Sequence, residues 1–143
     1  MVRTLCFFSA LLAIAFGCSC IPSTDKEIFC RSTFVGHFKV LNRTSTPEKL
    51  SLIYTAEVIE VFKDQNGSPQ KGSIVSISTG SNSAMCGVDW LSLGNDYLLS
   101  GFHSKNALSI NYCSIFRPYV WSQVTQEVKD ALQHGSYEPC PQH

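Results

Sequence analysis

Cys18-Ser19-Cys20 sets two thiols one residue apart, and Cys30, Cys86, Cys113 and Cys140 follow singly. Such a pair could ligate a metal, carry a lipid or enter disulfides. A structural zinc site draws four ligands, usually from CxxC pairs or Cys/His clusters; the spacing here is CxC and the remaining cysteines are isolated. A bacterial lipidated cysteine directly follows its leader, but Ala15-Phe16-Gly17 lacks the usual Leu at −3 and carries a bulky Phe at −2. Disulfides are the favoured reading. Enzymatic chemistry has little to draw on. His37, His103, His134 and His143 form no HExxH and no i,i+4 pair, and the chain has neither GxSxG nor a P-loop. The histidines read as ordinary surface or partly buried residues. The expectation is a non-enzyme with no cofactor of its own.

The first stretch reads as an export signal. Arg3 is followed by an apolar run from Leu5 to Phe16, and Ala15 and Gly17 put small residues at −3 and −1 relative to Cys18. That is the layout of a secretory signal peptide over residues 1–17, too short to span a membrane. Cleavage after Gly17 removes Cys6 and turns seven cysteines into six, an even set suited to three disulfides in an oxidising extracellular space. It also removes Arg3, leaving the acids one ahead of the bases. Nothing is basic enough for nucleic acid or an anionic membrane, and no second long apolar segment follows. Asn42-Arg43-Thr44 and Asn66-Gly67-Ser68 are glycosylation sequons, consistent with secretion.

The elements that must hold these cysteines are mostly strands. Thr24 and Glu27 fit a capping box, so a short helix carries Ile28, Phe29 and Cys30. Thr33 to Leu41 reads as a strand and Asn42 to Glu48 as a polar loop. Leu52 to Phe62 alternates as a half-buried strand until the apolar phase flips after Val58, the sign of a bulge or bend. Ser73 to Thr79 is a third strand, and Asp96 to Phe102 with Leu108 to Cys113 make a hairpin. Val120 to Gln133 places Val124, Val128, Ala131 and Leu132 on one helical face, with Ser122 as N-cap and Gly135 as C-cap. A mainly β fold follows: about five short antiparallel strands, one bent, forming a small closed or partly closed barrel between a short amino-terminal helix and a carboxy-terminal helix. One domain covers residues 18–140, with a tail of 141–143.

Two disulfides within three residues would make the amino terminus rigid, and a rigid segment ending in a free α-amine is a pre-organised ligand. Its reference pKa of roughly 7.7–8.0 leaves a neutral fraction able to bind metal. A structural staple is the alternative use of the same two bonds.

At these residues the chain resembles the tissue inhibitors of metalloproteinases, whose inhibitory half is a netrin-like domain on an OB-type barrel. Cys18-Ser19-Cys20-Ile21-Pro22 fits the family's C-x-C-x-P opening. "SAMCGV" (83–88), "NDYLLSGF" (95–102) and "WSQVTQEVKDALQHGSYEPC" (121–140) resemble its later segments. Six cysteines allow 15 pairings; the resemblance implies Cys18–Cys86, Cys20–Cys113 and Cys30–Cys140. It further implies that the amine and carbonyl of Cys18 chelate the zinc of a target metalloendopeptidase, such as a matrix metalloproteinase. Ser19 would enter the S1′ pocket, Cys20, Ile21 and Pro22 would follow along the cleft, and Ser83, Ala84 and Met85 would fill its other side. The zinc belongs to the protease, and a monomer forming 1:1 complexes is the simplest expectation. Ser23-Thr24-Asp25 departs from the His-Pro stretch common in vertebrate members. The sequence runs three residues past Cys140, and the resemblance is to forms without the family's second domain, such as those of invertebrates including parasitic nematodes. Another reading of the same fold is a netrin-like binding module with an immunomodulatory or receptor-binding role and no protease inhibition.

Overall fold

The computed structural model describes residues 17–105 and 107–142; the export signal expected over residues 1–17 lies, but for Gly17, outside the described residues, and so does Cys6. Helix α1 (Asp25–Arg31) starts at the expected capping box: Thr24 Oγ1 accepts from the Glu27 N–H at 3.2 Å, and the Glu27 carboxylate accepts from the Thr24 N–H at 2.7 Å. The Thr24 backbone and side-chain bonds hold the Glu27 carboxyl below its ordinary pKa. Ser32 ends the helix in extended backbone, its hydroxyl donating to Ile28 O at 2.7 Å.

Five strands follow: β1 (Phe34–Ser45), β2 (Ser51–Asp64), β3 (Ile74–Gly80), β4 (Asp96–Ser104) and β5 (Ala107–Ser109). They close in the order β1-β2-β3-β5-β4, so that β1 pairs with both β2 and β4. This is the mainly β, five-stranded OB-type barrel expected, with a helix at each end of the sequence. The phase flip in β2 is a bulge: Glu60 faces His37 and Val58 faces Phe38, leaving Ile59 unpaired between them.

Four details differ from the sequence reading. The polar run from Asn42 does not leave the sheet; it continues β1 to Ser45, with Arg43 opposite Tyr54, and it is polar because that end of the strand is exposed. The barrel is not wholly antiparallel, since β3 and β5 meet in a short parallel pair, Ile77 with Leu108 and Ser78 with Ser109. Strand β5 stops at Ser109 rather than Cys113 because Asn111 turns the chain, its side-chain oxygen accepting from the Cys113 N–H at 2.9 Å. The terminal helix is two pieces, a 3-10 turn (Trp121–Gln123) and α2 (Gln126–Gln133), split where Val124 is extended so that its side chain can be buried. Thr125, not Ser122, is therefore the N-cap of α2; at the other end His134 is the cap residue and Gly135 follows it at φ +67°.

The alternation of β1 sends Phe34, Phe38 and Val40 into the barrel with Tyr54, Ile77, Leu99 and Ile110, and Val35 outward. Outside, Val35 and Leu98 pack under Ile28, Phe29, Phe116, Val124 and Leu132, so both helices lie against one wall. His37 is buried on that wall, stacked on Trp121 with ring centroids 4.0 Å apart and bonded to Asp96 at 2.9 Å.

Burial pushes the His37 imidazole below its ordinary pKa of 6.5, outweighing the Asp96 bond and charge that raise it. A depressed histidine contributes stability that is present above the unfolded value of 6.5 and lost as pH falls through the folded one. The thermal midpoint of the protein should therefore fall between pH 7.5 and 5, and fall less in His37→Gln. Parallel pH profiles for the two proteins would show that His37 does not set the slope.

Candidate functional site

Three loop segments meet at one end of the barrel. The first, residues 17–23, has no regular structure, and its side chains are held by cysteines rather than packed: Ser19, Ile21 and Pro22 are exposed, Ile21 to 82 %. Disulfides join Cys18 to Cys86 and Cys20 to Cys113, with Cα separations of 5.0 and 5.3 Å. The two bridges touch, Cys18 Sγ lying 3.6 Å from Cys113 Sγ. The sulfurs of Cys18, Cys20 and Cys113 thus cluster within 4.8 Å, but each is already bonded to another sulfur, which leaves no thiolate to ligate a metal. The third disulfide, Cys30–Cys140, lies in the outer core and staples α1 to the chain beyond α2.

The second segment turns sharply between Gly80 and Gly87. A 3-10 turn (Ser83–Met85) is capped by Asn82, whose side chain accepts from the Met85 N–H at 3.1 Å. Gly87 N–H returns to Asn82 O at 2.9 Å, and a Cβ on Gly87 would lie 2.0 Å from Gly80 O. Cys86 itself takes the left-handed conformation, φ +52°, rare for a residue with a side chain. Ser83, Ala84 and Met85 project as an exposed knob beside the Cys18 bridge.

The third segment, around residues 110–117, is tied to the second by the Tyr112 N–H donating to Cys86 O at 2.8 Å. Ser114 is buried and donates to Ser100 O at 3.0 Å, fixing the turn to β4. Two guanidiniums support the peptide carrying Cys113: Arg117 Nη2 donates to Tyr112 O at 3.0 Å, and Arg31 Nη2 to Cys113 O at 3.2 Å. Arg117 also lies 3.9 Å from the Tyr112 ring centroid. The nearby Asp25 carboxyl is raised above its ordinary pKa, chiefly by burial and then by Glu127.

The structure thus brings Cys18, Ser19, Cys20, Ile21 and Pro22 together with Ser83, Ala84 and Met85. The two sequon asparagines stand apart from one another. Asn42 is exposed on β1, one residue from Arg43, whose guanidinium donates to Asp89 O at 2.7 Å in the chain after Cys86. Asn66 follows the far end of the 14-residue β2 and lines a separate hollow of about 520 Å³ with His103 and Lys105. Sequence reasoning missed the Gly80–Gly87 crossing, the Asn82 cap and both arginines. Its available cue was the pair of glycines bracketing "SNSAMC", a spacing that suits a tight closed loop.

A family model described as tissue inhibitor of metalloproteinase matches residues 17–141. A Caenorhabditis elegans protein whose name assigns it to the metalloproteinase inhibitors is 31 % identical over 134 residues, covering 87 % of this chain and 83 % of its own length. A Drosophila melanogaster tissue inhibitor of metalloproteinase is 27 % identical over 112 residues, and metalloproteinase inhibitor 3 of Xenopus laevis 24 % over 132. Those matches cover 78 % and 91 % of this chain but only 51 % and 59 % of the fly and frog proteins.

The Gly80–Gly87 contact leaves no room for a methyl group. Gly87→Ala should destabilise the fold by about 1–3 kcal/mol in denaturant unfolding and lower the fraction of Cys18–Cys86 disulfide found by peptide mapping. Wild-type stability and pairing in the variant would show that the loop opens at no cost.

Proposed function

The chain belongs to the tissue inhibitor of metalloproteinase family, and from that premise we propose that it is a secreted inhibitor of zinc metalloendopeptidases acting through its segment at Cys18. The observation that carries the reading is the double anchorage of that segment. Cys18 and Cys20 are bridged to two different loops while Ser19 and Ile21 between and after them stay exposed. A segment already fixed loses little further conformational entropy on binding.

Removal of residues 1–17 would give Cys18 a free amine. Its sulfur is spent in a disulfide, so its nitrogen and carbonyl oxygen are the ligating atoms left to it. A catalytic zinc holds three protein ligands and one exchangeable position. The neutral amine, with the carbonyl, would take the place of the hydrolytic water there, and the metal would come with the protease. Ser19, exposed next to it, would enter the S1′ pocket; Cys20, Ile21 and Pro22 would follow along the cleft, and Ser83, Ala84 and Met85 would occupy its other side. Met85 is 44 % exposed, apolar surface of the kind an interface covers. One such edge per molecule fits a monomer forming 1:1 complexes. The names of the nematode, fly and frog relatives support the target class.

The test compares oxidised protein starting at Cys18, its first residue checked by mass spectrometry, with a form carrying one extra Ala before it. Against a panel of matrix metalloproteinases the extra residue should abolish inhibition without changing the thermal midpoint. Equal potency would exclude chelation by the amine; no inhibition by either form would favour a netrin-like binding module. Ser19→Gly should change relative potency across the panel by about tenfold, near 1.4 kcal/mol, with the fold unaffected; an unchanged profile would remove Ser19 from the S1′ pocket.

A further inference from the structure

Ile21 and Pro22 form a ridge between two hollows. One, of about 380 Å³, is also lined by Asp25, Arg31, Tyr112 and Arg117; the other, of about 500 Å³, by Lys26, Glu27, Arg31 and Pro141. Arg31 comes from the last turn of α1 and Arg117 from the chain after β5, yet they donate to the consecutive carbonyls of Cys113 and Tyr112. These bonds use one nitrogen of each guanidinium, and both side chains are exposed. Among the described residues neither guanidinium is in an ion pair. Of the acids nearby, Glu27 is engaged at the Thr24 cap, and Asp25 is the single carboxyl lining the first hollow.

A guanidinium held by a backbone carbonyl keeps its remaining N–H groups for a planar acceptor, and carboxylate is the acceptor its fork matches best. We propose that Arg31 and Arg117 form a receptor for a carboxylate on the rim of the bound protease's cleft, beside the track of Ile21 and Pro22, and so select metalloendopeptidases with an acidic rim there. This rests on the inhibitor reading above. Charges on the edge of an interface act mainly through association rate and partner choice, and salt screens them.

The experiment takes one metalloproteinase catalytic domain in two forms, native with rim carboxylates and a variant with those carboxylates changed to amides. Association rates are measured for the wild-type chain, for Arg31→Gln/Arg117→Gln, and for Arg31→Lys/Arg117→Lys, at low and high salt. Glutamine removes the charge but ends two bonds short of the Nη2 atoms that donate to the carbonyls, so any loss of loop support registers equally on both enzymes; lysine restores the charge. The glutamine double variant should associate about tenfold more slowly with the acidic-rim enzyme at low salt. That loss should shrink at high salt, recover in large part with lysine, and be under about twofold on the amide-rim enzyme. Equal, salt-independent losses on both enzymes would make the arginines supports of the Cys20–Cys113 bridge alone and overturn the proposal, as would no loss at all. A wild-type chain that inhibits neither form would overturn the inhibitor reading and this proposal together, an outcome distinct from the other two.

Discussion

Among the described residues, the segment 17–23 makes no backbone–backbone hydrogen bond, lies outside the sheet and has its largest apolar side chain almost fully exposed. Neither burial nor a ladder defines its path. Two covalent bonds do, from Cys18 and Cys20, reaching to loops 68 and 93 residues away. Everything else at this end of the barrel keeps those two distant sulfurs in place. Asn82 and the Gly80–Gly87 crossing hold Cys86, Asn111 and Ser114 hold Cys113, and the Tyr112–Cys86 bond keeps the two loops in register. The barrel is a frame that brings the ends of β3 and β5 together, and their short parallel pairing puts both loops on one edge.

Rigidity here is thus divided between two kinds of bond. Disulfides fix position across long sequence distances, where loop-closure entropy would otherwise work against the contact. Hydrogen bonds from Asn and Ser side chains to nearby backbone fix local direction, as these residues do in turns. Cys86 shows both at once: it holds a left-handed backbone that its side chain disfavours, and it is kept there by bonds to Ser83 O and from Tyr112 N as well as by its bridge.

The features legible in the sequence were those whose physics is local. Thr24 and Glu27 announced the start of α1, and the broken alternation at Val58 and Ile59 announced the bulge in β2. The start of α2 was misplaced because the apolar spacing includes Val124, which is buried in extended backbone rather than in the helix. The continuation of β1 past Asn42 depends on a partner strand that composition does not reveal, and so does the parallel contact of β3 with β5. At the candidate site the cysteines and the exposed residues between them could be read from spacing and resemblance. The arginines could not, since their use depends on α1 and the chain after β5 converging on adjacent carbonyls.

Pro141 lines the same hollow as Ile21 and Pro22, because the Cys30–Cys140 bridge draws the far end of the chain against α1. Pro141 is therefore a neighbour of Ile21 and Pro22, on the edge where Ser19 and Ile21 are exposed. A label, linker or fusion partner attached after residue 142 would stand at the flank of that edge and crowd whatever docks there. The turn at Asn66 lines neither of the hollows beside that edge and is the handle to use for immobilisation.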